Sequence, residues 1–141
     1  MLMQISLDLP DKEASVPLCR GTLGYLLREL EVEEPRLQDI QLALTEATTN
    51  VVRHAYEHPG NRYRVSVQLF TDCVRLVVED HGRGFDRAGL PKREEEQVGG
   101  WGLSLIEKLA NVAEIRTQPG GGAVLQADFR LPGRIDLDAY R

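Results

Sequence analysis

Val78-Glu79-Asp80-His81-Gly82-Arg83-Gly84-Phe85-Asp86 is the stretch that decides how this chain is read. It starts as a hydrophobic strand, ends that strand on a carboxylate and enters a D-x-G-x-G turn. One acidic acceptor at a strand end can take a hydrogen bond from an exocyclic amino group such as that of adenine. The two glycines beyond it free the backbone for positive φ and for close approach to a flat ligand. Alone, the pattern equally suits a plain hairpin turn. The segments on either side decide between the two.

Upstream lies Leu42-Ala43-Leu44-Thr45-Glu46-Ala47-Thr48-Thr49-Asn50-Val51-Val52-Arg53-His54. Leu37, Ile40, Leu44, Ala47 and Val51 recur at helical steps, which predicts an amphipathic helix with that stripe on a core. Glu46, Asn50 and His54 are four apart and form a row on one flank. A carboxylate, a carboxamide and an imidazole in one row can supply a base, a metal-binding carbonyl oxygen and a phosphate or water contact. The plainer alternative is a solvated helix face, but this row runs beside the apolar stripe rather than opposite it.

Downstream, Gly99-Gly100-Trp101-Gly102-Leu103-Ser104-Leu105-Ile106 passes from glycines into a helix with Leu103, Ile106, Leu109 and Ala110 on one face. Free N–H groups and the positive dipole end at such a start suit an anion. No Gly-Lys-Ser/Thr follows and no G-x-G-x-x-G is present, so neither a Walker A loop nor a dinucleotide fingerprint is read.

Taken in order, an E-x-x-x-N helix, a strand with D-x-G-x-G and a G-x-G-L before a helix, the chain resembles the GHKL ATP-binding family of gyrase, histidine kinases and MutL. Within it the compact anti-sigma factor serine/threonine kinases, the RsbW-like group, are the nearest in pattern. The resemblance covers about residues 15 to 131. It implies that Glu46 is the general base or orients the nucleophile and that Asn50 binds Mg²⁺ through its side-chain oxygen. It further implies that Asp80 receives the adenine amino group and that Gly82 and Gly84 shape the base pocket; His54 reads either as a phosphate-side contact or as a helix-end cap. Gly100, Gly102 and Leu103 would present backbone N–H groups to the phosphates. The implied ligands are ATP and Mg²⁺. The implied partners are a sigma factor and a small anti-anti-sigma protein of STAS type carrying an acceptor serine, with a homodimer paired through a sheet edge. The rival class is a nucleotide-gated binding module with little phosphotransfer. Two departures stand out: Gly122-Ala123 replaces the usual Gly-Thr, and Trp101 is bulky between two glycines.

Composition bounds the rest. A chain of 141 residues predicts one domain, 1–141, with residues 132–141 as a C-terminal tail. A net charge of −5 argues against a nucleic-acid-binding surface. No basic n-region with an apolar run opens the chain, and no stretch reaches the ~18 apolar residues of a membrane span, so a cytoplasmic protein is expected. Cys19 and Cys73 form no C-x-x-C pair and read as small buried hydrophobes. His54-Ala55-Tyr56-Glu57-His58 matches the H-x-x-E-H zinc pattern. Pro59-Gly60 ends that helix at once and His81 sits in a glycine turn, so a peptidase site is rejected.

Alternation predicts strands at Met3–Leu9, Tyr63–Leu69, Val74–Asp80, around Ile115 and at Ala123–Leu131. Val16, Cys19, Leu23, Leu26 and Leu30 mark a first helix, with Ser15 as N-cap and Pro17 in its first turn. Asp80 shares parity with Val74, Leu76 and Val78, which puts its carboxylate on the sheet face that helices cover. The polar run Arg87–Val98 reads as a loop, and the resemblance makes it the lid over ATP. The expected fold class is α+β: a two-layer sandwich of a mixed β-sheet against three helices, the Bergerat or GHKL fold.

Overall fold

The computed structural model describes residues 1–53, 60–80, 103–117 and 122–138. Strand β1 (Met3–Pro10) leads into helices α1 (Ser15–Glu29) and α2 (Glu34–Arg53); strands β2 (Arg62–Phe70) and β3 (Cys73–Asp80) follow. Helix α3 (Leu103–Leu109) then precedes strands β4 (Val112–Thr117) and β5 (Ala123–Arg130). The strands form one five-stranded sheet in the order β1-β2-β3-β5-β4.

Every pairing is antiparallel, so the sheet is not mixed as the sequence led us to expect. Connectivity explains this. Two helices between β1 and β2 carry the chain down and back up, so β2 runs against β1. The single helix between β3 and β4 does return a strand parallel to β3, but the β4–β5 hairpin slips β5 between them. The two-layer α+β class itself stands.

All the chain reversals sort to two ends. At one, here the upper end, β1 and β3 finish, α2 finishes, β2 begins and α3 begins. At the lower end lie the β2–β3 turn at Thr71-Asp72, the start of α2 and the end of α3.

On the covered face the strand register lines up rows of side chains. Met3, Leu69, Val74 and Phe129 form one row; Ile5, Val67, Leu76, Ala127 and Ala113 the next; Leu7, Val65, Val78, Leu125 and Ile115 a third. All but Ile115, which is exposed on the edge strand, join or pack on the core built with the buried Leu23, Leu27, Leu37, Ile40, Leu44 and Ile106 of the helices. Fully burying one such aliphatic side chain stabilises by about 1.5–3 kcal/mol. The opposite face of the sheet is polar, with Asp8 paired to Arg64 at 2.8 Å and Asp128 to Arg75 at 2.7 Å.

One local expectation is corrected and two are refined. Ser15 is not an N-cap: Ala14 holds that position with helical φ and ψ and no side-chain cap, and Ser15 is the buried first residue of α1. In α1 it is Leu27 that is buried deepest in the last turns, with Leu26 only partly covered. Residues 132–138 are not a free tail. The Ile135 N–H donates to the Thr71 carbonyl at 2.7 Å, the Ile135 side chain is buried and Leu137 packs on the core.

Helix α1 ends in a Schellman motif, in which the Val32 N–H donates to the Leu27 carbonyl and the Glu31 N–H to that of Arg28. Glu31 therefore sits at φ 62°, a left-handed position that glycine usually fills.

At the lower end Arg36 binds three elements together. Its guanidinium donates to the Arg130 carbonyl at 2.9 Å, the Leu109 carbonyl at 2.6 Å, Asp39 at 3.0 Å and the Asn111 side-chain oxygen. It also lies 5.1 Å from the centre of the Phe129 ring, within cation–π range. The start of α2 thus caps the end of α3 and clamps both to β5.

Candidate functional site

The fourth row of the covered face breaks the aliphatic pattern. It runs Leu9, Tyr63, Asp80 across β1, β2 and β3 at the upper end of the sheet. Pairing of Glu79 with Val124 brings Ala123 alongside Asp80 as its continuation. Asp80 is 3% exposed, as its parity with Val74, Leu76 and Val78 predicted. A carboxylate at this depth is expensive unless hydrogen bonds or charges compensate it.

Over this end comes the C-terminal half of α2. The stripe Leu37, Ile40, Leu44, Ala47 and Val51 is buried as the periodicity predicts. Asn50 is buried beside it at 6% exposure, while Glu46, one turn earlier on the same flank, is partly exposed. Thr48 is wholly buried and returns its hydroxyl to the Leu44 carbonyl at 2.9 Å, so it is satisfied within the helix.

The Asn50 side-chain nitrogen has no hydrogen-bond partner among the described residues. The two ends of a carboxamide are interchangeable in such an assignment. Turning the amide over presents its oxygen instead, the atom that a hard divalent cation accepts. A buried amide with one end unsatisfied therefore fits a ligand or metal contact.

Leu103 opens α3, as the glycine-to-helix transition predicted, and Ile106 anchors that helix in the core. Glycine is required at two turns of the upper end, before β2 and before β5: Gly60 and Gly122 both have φ 90°. His54, Gly82, Gly84, Gly100, Gly102, Trp101 and the 87–98 run lie outside the described residues.

Two buried polar residues at this end escaped sequence reading. Asp11, just beyond β1, is 7% exposed, and its Oδ2 has no hydrogen-bond partner among the described residues. Tyr63 is fully buried and its hydroxyl is hydrogen-bonded to Ser15. Burial pushes the Tyr63 hydroxyl up to about 12, with the Ser15 bond pulling the other way and the nearby Cys19 and Asp11 adding to the rise. The one available signal for Asp11 was its place in a Pro-Asp exit from a strand, which marks turns in general.

The reading of both cysteines as small buried hydrophobes holds for Cys19 and only in part for Cys73. Cys19 is fully buried, and desolvation pushes its thiol up to about 12; Cys73 is partly buried, and its thiol is raised mainly by desolvation. The described residues contain no group of three metal-ligating His, Cys, Asp or Glu side chains. No described helix is long and apolar enough to cross a membrane.

A sandwich with a buried carboxylate at the end of a central strand, under a helix carrying Glu46 and Asn50, defines a class of ATP-binding domain. Residues 9–127 match the family model described as the histidine kinase-like ATPase domain, and the chain belongs to that family. Its relatives include the serine-protein kinase RsbW of Bacillus licheniformis, 30% identical over 94% of this chain and 89% of that one. The serine-protein kinase RsbW of Bacillus subtilis is 30% identical over 95% of this chain and 90% of its own length.

Among solved structures, the RsbU and RsbW domains of Rv1364c from Mycobacterium tuberculosis superpose with a TM-score of 0.68 at 23% identity, over 95% of this chain. This chain spans about a third of that longer one, 34%. The SiaB–SiaC complex from Pseudomonas aeruginosa gives 0.69 at 14% identity, over 89% of this chain and 88% of its counterpart. Both likenesses speak for the fold.

Proposed function

We propose that this protein is an ATP-dependent serine/threonine kinase acting as an anti-sigma factor: it holds a sigma factor and phosphorylates a small anti-anti-sigma protein on a serine. The observation that carries the reading is Asp80, a buried carboxylate closing an otherwise aliphatic set of rows at the end of a central strand.

In this reading Asp80 accepts the exocyclic amino group of adenine, with Gly82 and Gly84 shaping the base pocket. Asn50 would hold Mg²⁺ through its side-chain oxygen, and the ion would supply charge neutralisation at the phosphates. Gly100, Gly102 and Leu103 offer backbone N–H groups to those phosphates, and His54 contacts them from the α2 side. Glu46, one turn before Asn50, takes the proton of the acceptor serine as its oxygen attacks the γ-phosphorus and the bond to the ADP oxygen breaks. Phosphoryl transfer needs mainly positioning and charge stabilisation, so this small set of groups suffices. The Asn50 side-chain nitrogen, unpartnered among the described residues, and the partly exposed Glu46 on one flank support the assignment.

The sigma factor, the STAS-type antagonist, a homodimer and a cytoplasmic location belong to the same proposal, whose serine phosphotransfer is supported by the serine-protein kinase relatives. Phosphorylating the antagonist would keep it from displacing the sigma factor. Ala123 in place of a threonine removes one hydroxyl beside Asp80, a loss of about 1 kcal/mol in nucleotide affinity for one hydrogen bond.

The test is calorimetry of Mg-ATP with wild type and Asp80→Asn. Strong weakening in the variant is expected, and equal affinity would sink the adenine assignment.

A further inference from the structure

We propose that Tyr63 is a positioning residue for nucleotide recognition: tethered through its hydroxyl to Ser15, its ring forms the wall that holds the Asp80 carboxylate in line with the base. The inference rests on the reading of Asp80 as the adenine acceptor.

Tyr63 and Asp80 are direct partners across β2 and β3, so both side chains leave the same face of the sheet. Directly opposed residues in an antiparallel pair have Cβ atoms about 4.5–5.5 Å apart. Tyr63 is 0% exposed and Asp80 3%, so the two are buried together. The equivalent β2 positions in the rows below are Val65, Val67 and Leu69. Only where the neighbour is the carboxylate does β2 carry a ring with a polar tip.

Proton accounting fixes what that tip does. The Ser15 hydroxyl has one proton, which it donates to the Lys12 carbonyl at 2.7 Å. The bond between Ser15 and Tyr63 must then be donated by Tyr63. Its own hydroxyl, kept protonated by burial, is thereby committed to α1. The ring is held at both ends: by strand pairing to Leu9 and Asp80 at its Cα, and by the first turn of α1 at its oxygen. The Asp11 N–H donates to the Asn61 carbonyl at 3.2 Å and closes β1's exit onto β2's entry beside it. A ring fixed at both ends cannot swing, and it stands directly across the strand pair from Asp80 on the same face of the sheet. The first turn of α1 is thus mechanically joined to the base-binding end of the sheet.

The experiment compares Mg-ATP with the Mg complex of purine riboside triphosphate, which lacks only the 6-amino group. Calorimetry is run on wild type, Tyr63→Phe and Ser15→Ala, with denaturant unfolding confirming that each is folded. Wild type should prefer ATP by at least about tenfold, as a site built around a buried acceptor rejects an analogue that leaves it unpaired. Each variant should bind ATP about fivefold more weakly, the scale of one hydrogen bond, with the analogue's affinity unchanged, so the preference narrows. A purely structural role for Tyr63 would weaken both nucleotides alike, and an unchanged preference in either variant overturns the proposal. If wild type itself fails to prefer ATP, the Asp80 reading falls first, a result distinct from the variants failing. Ser15→Ala retains the ring and its packing, so it carries the test if Tyr63→Phe does not fold.

Discussion

The two ends of this sheet treat their polar groups in opposite ways. At the lower end polar groups satisfy one another: Arg36 reaches two carbonyls and two side chains, and the Asn111 oxygen also accepts the Arg130 N–H at 2.7 Å. At the upper end Asp11 and Asn50 are buried with one atom each unpartnered among the described residues. An unmet buried donor or acceptor costs about 1–3 kcal/mol. The lower end ties α2, α3 and β5 together, and the upper end keeps two buried polar atoms that the described residues leave unmatched, as the proposed nucleotide site calls for. Active sites commonly trade stability for function.

The comparison breaks most visibly through Glu46. Glu46→Gln keeps the shape but removes the proposed base, so transfer of labelled phosphate to the partner serine should fall by ~10²–10⁴-fold. Mg-ATP affinity, read by calorimetry, should persist or tighten. Equal label in variant and wild type would remove Glu46 from the chemistry, and no transfer by wild type to its authentic partner would favour a nucleotide-gated binding module.

The lower end is sharpened by Arg36→Ala. It removes the clamp and leaves carbonyls and Asp39 without their donor, so urea unfolding should show a loss of about 2–4 kcal/mol. The affinity of the folded fraction for ATP should stay near wild type. A loss below about 0.5 kcal/mol would mean that the network is ornamental.

Asn50→Leu should do the reverse. An apolar side chain of similar size relieves the unpaired amide and should raise stability by about 1 kcal/mol. Magnesium-dependent ATP binding should be lost in the same variant. A destabilised Asn50→Leu would show that the amide is already satisfied and that the two ends do not differ.

The smallest effect lies outside both ends. Glu31→Gly removes the left-handed strain at the end of α1 and should stabilise by about 0.5–1 kcal/mol, with kinase activity unchanged. A destabilised variant would show that the Glu31 side chain or the added chain entropy of glycine outweighs the strain.

Much of this was legible because it repeats. The period-two alternation of Val74, Leu76, Val78 and Asp80 placed Asp80 on a core-facing position, and the helical stripe from Leu37 to Val51 placed Asn50 on the flank beside the core, without any structure. What stayed hidden depends on contacts between distant residues. Arg36 meets Leu109, Asn111 and Arg130 only after α3 has folded back, and nothing local to Arg36 distinguishes it from a surface arginine. Ser15 has the composition of a helix cap, yet its partner is Tyr63, 48 residues away. Glu31 lacks the glycine that advertises a Schellman turn. The docking of Ile135 on Thr71 could not be read from a short polar stretch with two isolated aliphatic residues. The antiparallel sense of the whole sheet depended on where β5 inserts, which periodicity does not encode.

One consequence of the topology concerns engineering. Leu2 and Met3 line the same cleft as Arg134, Ile135 and Leu137 at the lower end, with a volume of about 680 Å³. Residues near the two termini are thus neighbours, and both lie across the full length of the sheet from Asp80 and Asn50. A covalent link between these two segments, or a probe placed on either, would therefore leave the far end of the sheet untouched and free to report on the proposed nucleotide.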